Sequence, residues 1–479
     1  MSRTRIHFKN TTALVVAGAL SKMLMFLAAV MIFKGLSVED NGVFQLAFSF
    51  GFIFSLLTEV GVRGYLLRQM ARVRSEPAFA QRLFSDVLNL RLGLIVLMTP
   101  IIFLILWLAG YSHQILIVTA WLFLYALLDS IAMLFKFVLR AYERMEFDAL
   151  FSIIGRGVVL GLIAVFFMSK SLTLPNVIVS HLAGAGLECM GLCIALKITL
   201  RLRLVNRAGI RAMWATLAKS APFAVVNVVG ILYLRTGTIT LSKLAGERAV
   251  ALFNTADKLP EAVLFFPMAM VNAVVPFLSR NLNDLHTLRR YYDFLMRYIL
   301  YVVVGLAVIF IMETQWIILL VAKKEYLSAS HAFRGLAVWM VASSIHYATA
   351  NVLICMNHEK WVMRRYMLVF VFNVILNLLL VSKWGVTGAA IALAVSEVAA
   401  TAFDVLKLRH LGVGMSRGSI LQAAGQIMLM SAMLWVFGFM NPQARIGITV
   451  FVAALYVGVV MFLSDRELIR KLLHKDETA

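Results

Sequence analysis

Residues 12–33 read TALVVAGALSKMLMFLAAVMIF, an apolar stretch interrupted by one charge, Lys22. A bilayer's hydrocarbon core, about 30 Å thick, needs roughly 20 apolar residues of helix to cross it, so this stretch suffices. It is too long for the apolar core of a secretory signal and has no small-residue cleavage site. It therefore reads as a retained first span, despite Arg3, Arg5 and Lys9 ahead of it.

The same ruler, moved along the chain, predicts fourteen spans: 12–33, 43–67, 83–108, 115–138, 150–168, 176–196, 219–241, 250–278, 296–319, 331–354, 366–382, 387–406, 419–440 and 445–463. Composition agrees. Hydrophobic residues make up 62% of the 479 and charged ones 14%, against about half and a quarter in a soluble domain. One water-soluble core cannot hide that surplus. The expected fold class is an all-α polytopic membrane protein.

The charge is lopsided: 45 Lys and Arg against 24 Asp and Glu, net +21. In a soluble chain this would suggest nucleic acid. In a membrane chain it reads as positive-inside bias and attraction to anionic headgroups, with no nucleic-acid partner. With the amino terminus inside, the inner loops and tails hold 29 of the basic residues and the outer loops eight: Lys34, Lys170, Lys243, Arg248, Lys323, Lys324, Lys383 and Arg445. Both termini are thus expected on the cytoplasmic side of the inner membrane. The densest inner group, Lys197, Arg201, Arg203, Arg207, Arg211 and Lys219, lies in the longest loop and reads as a linker. The expected organisation is an N-lobe over 1–205, a C-lobe over 206–410, and two further helices with a tail over 411–479.

The outer loops are about ten residues or shorter, leaving no platform for extracellular chemistry. There is no GxxxxGK[ST] and no HExxH, so no enzyme is expected. Cys189, Cys193 and Cys355 sit in or beside apolar runs without metal-ligand spacing and read as packing residues. Neither metal nor cofactor is expected.

The halves echo one another. Leu36-Ser-Val-Glu39 leading to Phe44-Gln-Leu-Ala47 recurs as Leu244-Ala-Gly-Glu247 leading to Phe253-Asn-Thr-Ala256, one residue longer. Glu143-Arg144-Met145 after the fourth span is echoed by Glu359-Lys360-Trp361 after the tenth. Six spans separate each pair, so the copies keep one orientation. In such parallel repeats a substrate path is expected between the halves near mid-membrane.

Eight basic residues fall inside apolar runs: Lys22, Arg63, Arg91, Lys136, Arg156, Arg235, Lys258 and Arg334. Each costs about 2.5–3.5 kcal/mol at the bilayer centre, so each must face water, pair with an acid, or snorkel. Arg91, Lys136 and Arg156 lie near expected cytoplasmic ends, and Arg334 near the outer surface, where snorkelling suffices. Arg63 has Glu59 one turn away, leaving ion pair and ligand equally open. Lys22 sits at mid-span with no acid at helical spacing, and Arg235 is also deep. Lys22, Arg63, Arg235 and Lys258 are the candidate substrate-binding cations. Asp257 and Glu261, four apart on one helical face, are a candidate ion-coupling pair. The other deep acids (Glu59, Asp86, Asp129, Glu188, Glu313 and Glu397) leave wholesale pairing as the alternative. His181 and His346 read as packing residues. Pro260, Pro267 and Pro276 in the eighth span suggest a flexible element.

At this point the residues carry a likeness. Leu36-Ser-Val-Glu-Asp-Asn-Gly-Val-Phe-Gln-Leu-Ala-Phe-Ser-Phe50 with Glu59-Val-Gly, Leu139-Arg-Ala-Tyr-Glu-Arg-Met145, Ala221-Pro-Phe with Leu234-Arg235, and Trp384-Gly-Val-Thr-Gly-Ala-Ala-Ile391 together resemble the oligosaccharide flippases of the MOP exporter superfamily. The resemblance implies two six-helix lobes in a V around a central cavity, plus two carboxyl-terminal helices. It implies a flippase that carries a polyprenyl-diphosphate-linked oligosaccharide from the cytoplasmic to the outer leaflet by alternating access, for surface polysaccharide. Its expected partners are the lipid-linked oligosaccharide, membrane lipids, and the polysaccharide polymerase and chain-length machinery. It places cavity cations on the pyrophosphate, Arg235 among them. Many relatives carry an acid two residues after that arginine, where this chain has Gly237. Sibling functions stay open: a peptidoglycan-precursor flippase, or a MATE-type cation-coupled multidrug exporter, which wants an acid-dominated cavity.

Overall fold

The computed structural model describes residues 3–59, 66, 69–70, 76–200, 228–280 and 284–464. They form α1 (Arg3–Gly35), α2 (Val38–Leu57), α3 (Pro77–Leu108), α4 (His113–Ala141), α5 (Met145–Met168), α6 (Leu174–Leu200), α7 (228–244), α8 (Gly246–Val263), α9 (Phe265–Arg280), α10 (Leu285–Met312), α11 (Thr314–Val321), α12 (Ser330–Cys355), α13 (Glu359–His410), α14 (Arg417–Val436) and α15 (Pro442–Ser464). Eleven helical segments among the described residues are long and apolar enough to cross a membrane, and α13, at 52 residues, holds two spans. The chain is a multi-pass membrane protein. The linker at 201–227 and the tail from 465 lie outside the described residues.

Short polar caps end the apolar runs. Ser37, Ser112 and Ser416 each accept a backbone N–H in the first turn of α2, α4 and α14. Asp284 caps α10, and the Thr287 hydroxyl and amide hold its carboxyl below the usual carboxylate range.

The predicted ninth span does not run straight through 296–319. It breaks at Glu313 between α10 and α11, where Arg445 Nη2 of α15 meets the carboxylate at 2.5 Å. The eighth span breaks too. Pro267 cannot donate a backbone bond into the preceding turn, and α8 gives way to α9 at Leu264. The eleventh and twelfth spans meet at a single left-handed residue, Gly385 (φ 52°), instead of a loop.

Helix packing divides the chain into two compact units. One comprises Met1–Thr255 with Val321–Lys323 and Asn377–Val386, and the other holds the remainder. In the first, α1 packs on α5, α2 and α6 on α4, and α5 on α6; in the second, α10 packs on α12 and α14, and α9 on α12. Two sites of close approach fix the first unit. Gly155 of α5 and Gly184 of α6 cross backbone to backbone: a Cβ on Gly184 would lie 2.6 Å from the Gly155 carbonyl. Gly42 of α2 crosses the start of α8, where a Cβ would collide with the Glu247 carbonyl. Glu39 pairs with Arg248 at 3.2 Å beside that crossing, and Asn41 Nδ2 donates to Thr255 at 3.2 Å. The two hairpins that echo each other in sequence therefore touch, with Glu39 and Glu247 each the second residue of its helix. Gly42→Val should force this crossing apart at a cost of about 1–3 kcal/mol. A cysteine pair replacing Glu39 and Arg248 should then cross-link in the parent and fail to cross-link in the Gly42→Val background.

The second echo survives with a shifted register. Arg144 N–H bonds Leu139 O and His358 N–H bonds Leu353 O, each across a left-handed residue, Glu143 (φ 61°) and Asn357 (φ 62°). These are the same helix-ending turn. Glu143 thus corresponds to Asn357, and the matched Glu143 and Glu359 are offset by two residues.

Candidate functional site

Lys22 stands at mid-length of α1 and is exposed at the surface of its unit. Arg235 stands on α7, half-buried among buried Tyr233, Thr236 and Thr238. Its Nε is buried and finds no hydrogen-bond partner among the described residues. Arg63 lies outside the described residues. Lys258 and Glu261 form an i,i+3 pair at 3.0 Å on α8, 27% and 45% exposed, with half-buried Asp257 beside them. The structure thus gives Lys258 a carboxylate of its own and turns Glu261 toward it. A pair this exposed contributes about 0–1 kcal/mol. Lys258→Gln should leave the thermal midpoint within about a degree of the parent and transport unchanged, measured on purified protein and in complemented cells.

The three bases expected to snorkel at cytoplasmic ends, Arg91, Lys136 and Arg156, are instead buried or half-buried among polar partners. Lys136 is 6% exposed, with Glu188 Oε1 at 2.5 Å and Asp148 Oδ1 at 3.7 Å. Arg156 contacts Asp129, has Glu188 Oε2 at 3.9 Å, and donates to the Tyr125 hydroxyl at 3.0 Å. Arg140 Nε donates to Asp148 at 2.6 Å. Arg91, 2% exposed, meets the Ser130 hydroxyl. Burial forces this outcome, because an ionised side chain shut away from water needs polar or charged partners. Lys136, Arg140 and Arg156 are matched by Asp129, Asp148 and Glu188. Glu188 acts through charge, since neither of its oxygens has an aligned hydrogen bond. The glycine crossing of α5 and α6 brings it there: a Cβ on Gly155 would lie 2.8 Å from the Glu188 Cβ. A hint was present in the sequence, because Asp129, Lys136 and Arg140 recur at helical spacing on one face of α4. Arg334 is exposed, as snorkelling expects, with its Nε 3.3 Å from the Thr314 hydroxyl.

The second unit carries a counterpart that sequence reading missed. Asp404, fully buried, accepts from the Arg365 Nε–H and the Trp361 indole N–H, each at 3.3 Å, and its other oxygen lies 3.1 Å from Arg365 Nη2 and 3.4 Å from His346 Nδ1. Asp404 follows Gly385 by 19 residues, and Glu188 follows left-handed Lys170 by 18. In each unit a buried acid thus neutralises a cationic side chain from a neighbouring span, Glu188 with Lys136 and Asp404 with Arg365. Arg365 and His346 carried no local signal, since their partner lies about forty to sixty residues away. His181 is buried among the rings of Phe44, Phe48 and Tyr125, a packing residue as expected. No cluster of three metal-ligating side chains occurs among the described residues.

Most deep charge is thus structural. Among the buried or half-buried guanidiniums, those of Arg140, Arg156, Arg297, Arg365 and Arg445 each have a carboxylate, and that of Arg91 meets the Ser130 hydroxyl. Arg235 has none among the described residues.

Comparison with solved structures returns the same helical architecture. The chain superposes on the lipid II flippase MurJ, inward closed conformation, with a TM-score of 0.79 at 14% identity, over 95% of this chain and 99% of that one. It matches a multidrug resistance MATE family transporter of the MOP superfamily, inward-facing, with a TM-score of 0.65 at 17% identity, over 83% and 97%. A MOP superfamily transporter from Pyrococcus furiosus, whose binding pocket is described as having reverse polarity, gives 0.57 at 14% identity, over 84% and 95%. Among the curated proteins none is significantly similar. Residues 7–282 match the model of a family described as polysaccharide biosynthesis protein. The chain is a multi-pass membrane protein with the fold of the MOP-superfamily transporters, and it belongs to the polysaccharide biosynthesis protein family.

Proposed function

We propose that this transporter flips a polyprenyl-diphosphate-linked oligosaccharide from the cytoplasmic to the outer leaflet of the inner membrane, supplying surface polysaccharide, with both termini cytoplasmic. The observation that carries this reading is Arg235: a half-buried guanidinium with a buried Nε that finds no partner among the described residues, where Arg156, Arg297, Arg365 and Arg445 each have a carboxylate. A pyrophosphate carries about two negative charges and presents the paired oxygens that a guanidinium fork binds bidentately. Lys22 joins Arg235 as a second cation for the same group, and Arg63 remains a third candidate. Family membership supports the sugar-bearing part of the cargo. The inside-negative potential favours outward movement of an anion by about 2.3 kcal/mol per charge per 100 mV, so a coupling ion is not energetically required. With Glu261 paired to Lys258, any ion coupling falls to Asp257.

The likeness to a lipid II flippase supports a second reading, a peptidoglycan-precursor cargo with the same pyrophosphate chemistry. One complementation experiment separates them. Arg235→Ala in the native host should abolish surface polysaccharide while the protein stays in the membrane and the cells keep their walls. Normal polysaccharide overturns the proposal, and lysis of the mutant establishes the second reading.

A further inference from the structure

A groove in the second unit is used by nothing described above. It encloses about 600 Å³ and runs along α10 from Tyr292 to Ile311, walled by α12, the second half of α13 and α14, and ends beside Arg409. At 1.5 Å per residue, that run of α10 is about 28 Å long. The interior is aliphatic. Its two polar side chains are already engaged, the Thr401 hydroxyl by Ala342 O and the Tyr292 hydroxyl by Thr349. Taking a methylene as about the size of a water, roughly 30 Å³, the groove holds about twenty carbons in single file. That is the scale of one acyl chain.

The mouth is basic. Arg409 is exposed and shares the last turn of α13 with Lys407 and His410. The nearby acids are taken, Asp404 by Arg365 and Asp293 by Arg297 and Ser419. Among the described residues no carboxylate pairs with Arg409. We propose that the groove seats one acyl chain of an anionic phospholipid, with the lipid phosphate on Arg409. In the orientation proposed above this is a cytoplasmic-leaflet lipid, distinct from the cargo.

The test is native mass spectrometry of the full-length protein titrated with phosphatidylglycerol or phosphatidylcholine. Expected is saturable retention of one phosphatidylglycerol and no retained phosphatidylcholine. Arg409→Gln should weaken retention at least tenfold, and Ala402→Trp, which fills the groove, should do the same. Arg144→Gln, an equal loss of charge in the other unit, should not. All variants should elute as monodisperse protein. Equal retention of phosphatidylcholine overturns the proposal, as does parent-like retention in either the Arg409→Gln or the Ala402→Trp variant. Displacement of phosphatidylglycerol from the parent by an equimolar polyprenyl phosphate makes the groove a cargo site and also overturns it.

Discussion

Glu188→Gln should destabilise the protein by about 3–5 kcal/mol, the cost of stranding a buried charge without its partner. Glu188 is 1% exposed and is the one acid within reach of both Lys136 and Arg156 among the described residues. Three bases and three acids balance in this cluster, so removing one carboxylate leaves a net positive charge where water does not reach. A typical protein has only about 5–15 kcal/mol of stability in total, so the loss is visible as lower yield and a lower thermal midpoint in detergent. Adding Lys136→Met restores neutrality and should recover most of the loss. A midpoint for Glu188→Gln within a degree of the parent, or no recovery in the double variant, contradicts the structural role assigned to the cluster.

Arg235→Ala should leave stability nearly unchanged and act on cargo instead. Truncating one partner of a desolvated charge pair costs about 2–5 kcal/mol of binding, so affinity for a polyprenyl diphosphate should fall at least about 30-fold. Arg235→Lys should recover only part of it, because an ammonium is a point charge without the planar fork. Titrating the purified variants with a fluorescent polyprenyl diphosphate measures this. Parent-like affinity in the alanine variant removes Arg235 from the binding site. The contrast with Glu188 is informative: one charge is paired by the fold, while on the proposed function the other meets its partner in the cargo.

Hydropathy made the helices legible, because about 20 apolar residues have no alternative to a helix in lipid. It could not see the break at Glu313, since a span reads as continuous whether or not an arginine from α15 holds its middle. Nor could it see that Gly385 alone turns one span into the next. The candidate site was less legible. Which deep cation pairs and which does not depends on partners far apart in sequence: Lys136 with Glu188, and Arg365 with Asp404. Snorkelling was a reasonable expectation for Lys136 and Arg156 from depth alone. It fails because α5 and α6 approach through Gly155 and Gly184, which delivers Glu188 to both. Where the pairing is local, as for Lys258 and Glu261, the spacing was visible in the sequence but the choice of partner was not.

The most direct measurement is flipping itself. The purified protein is reconstituted into liposomes holding a polyprenyl-diphosphate-linked oligosaccharide, and a membrane-impermeant lectin added outside reports arrival of sugar at the outer leaflet. The account predicts protein-dependent arrival that is abolished by Arg235→Ala and retained in Lys258→Gln. Arrival at the parent rate in the Arg235→Ala variant would contradict it.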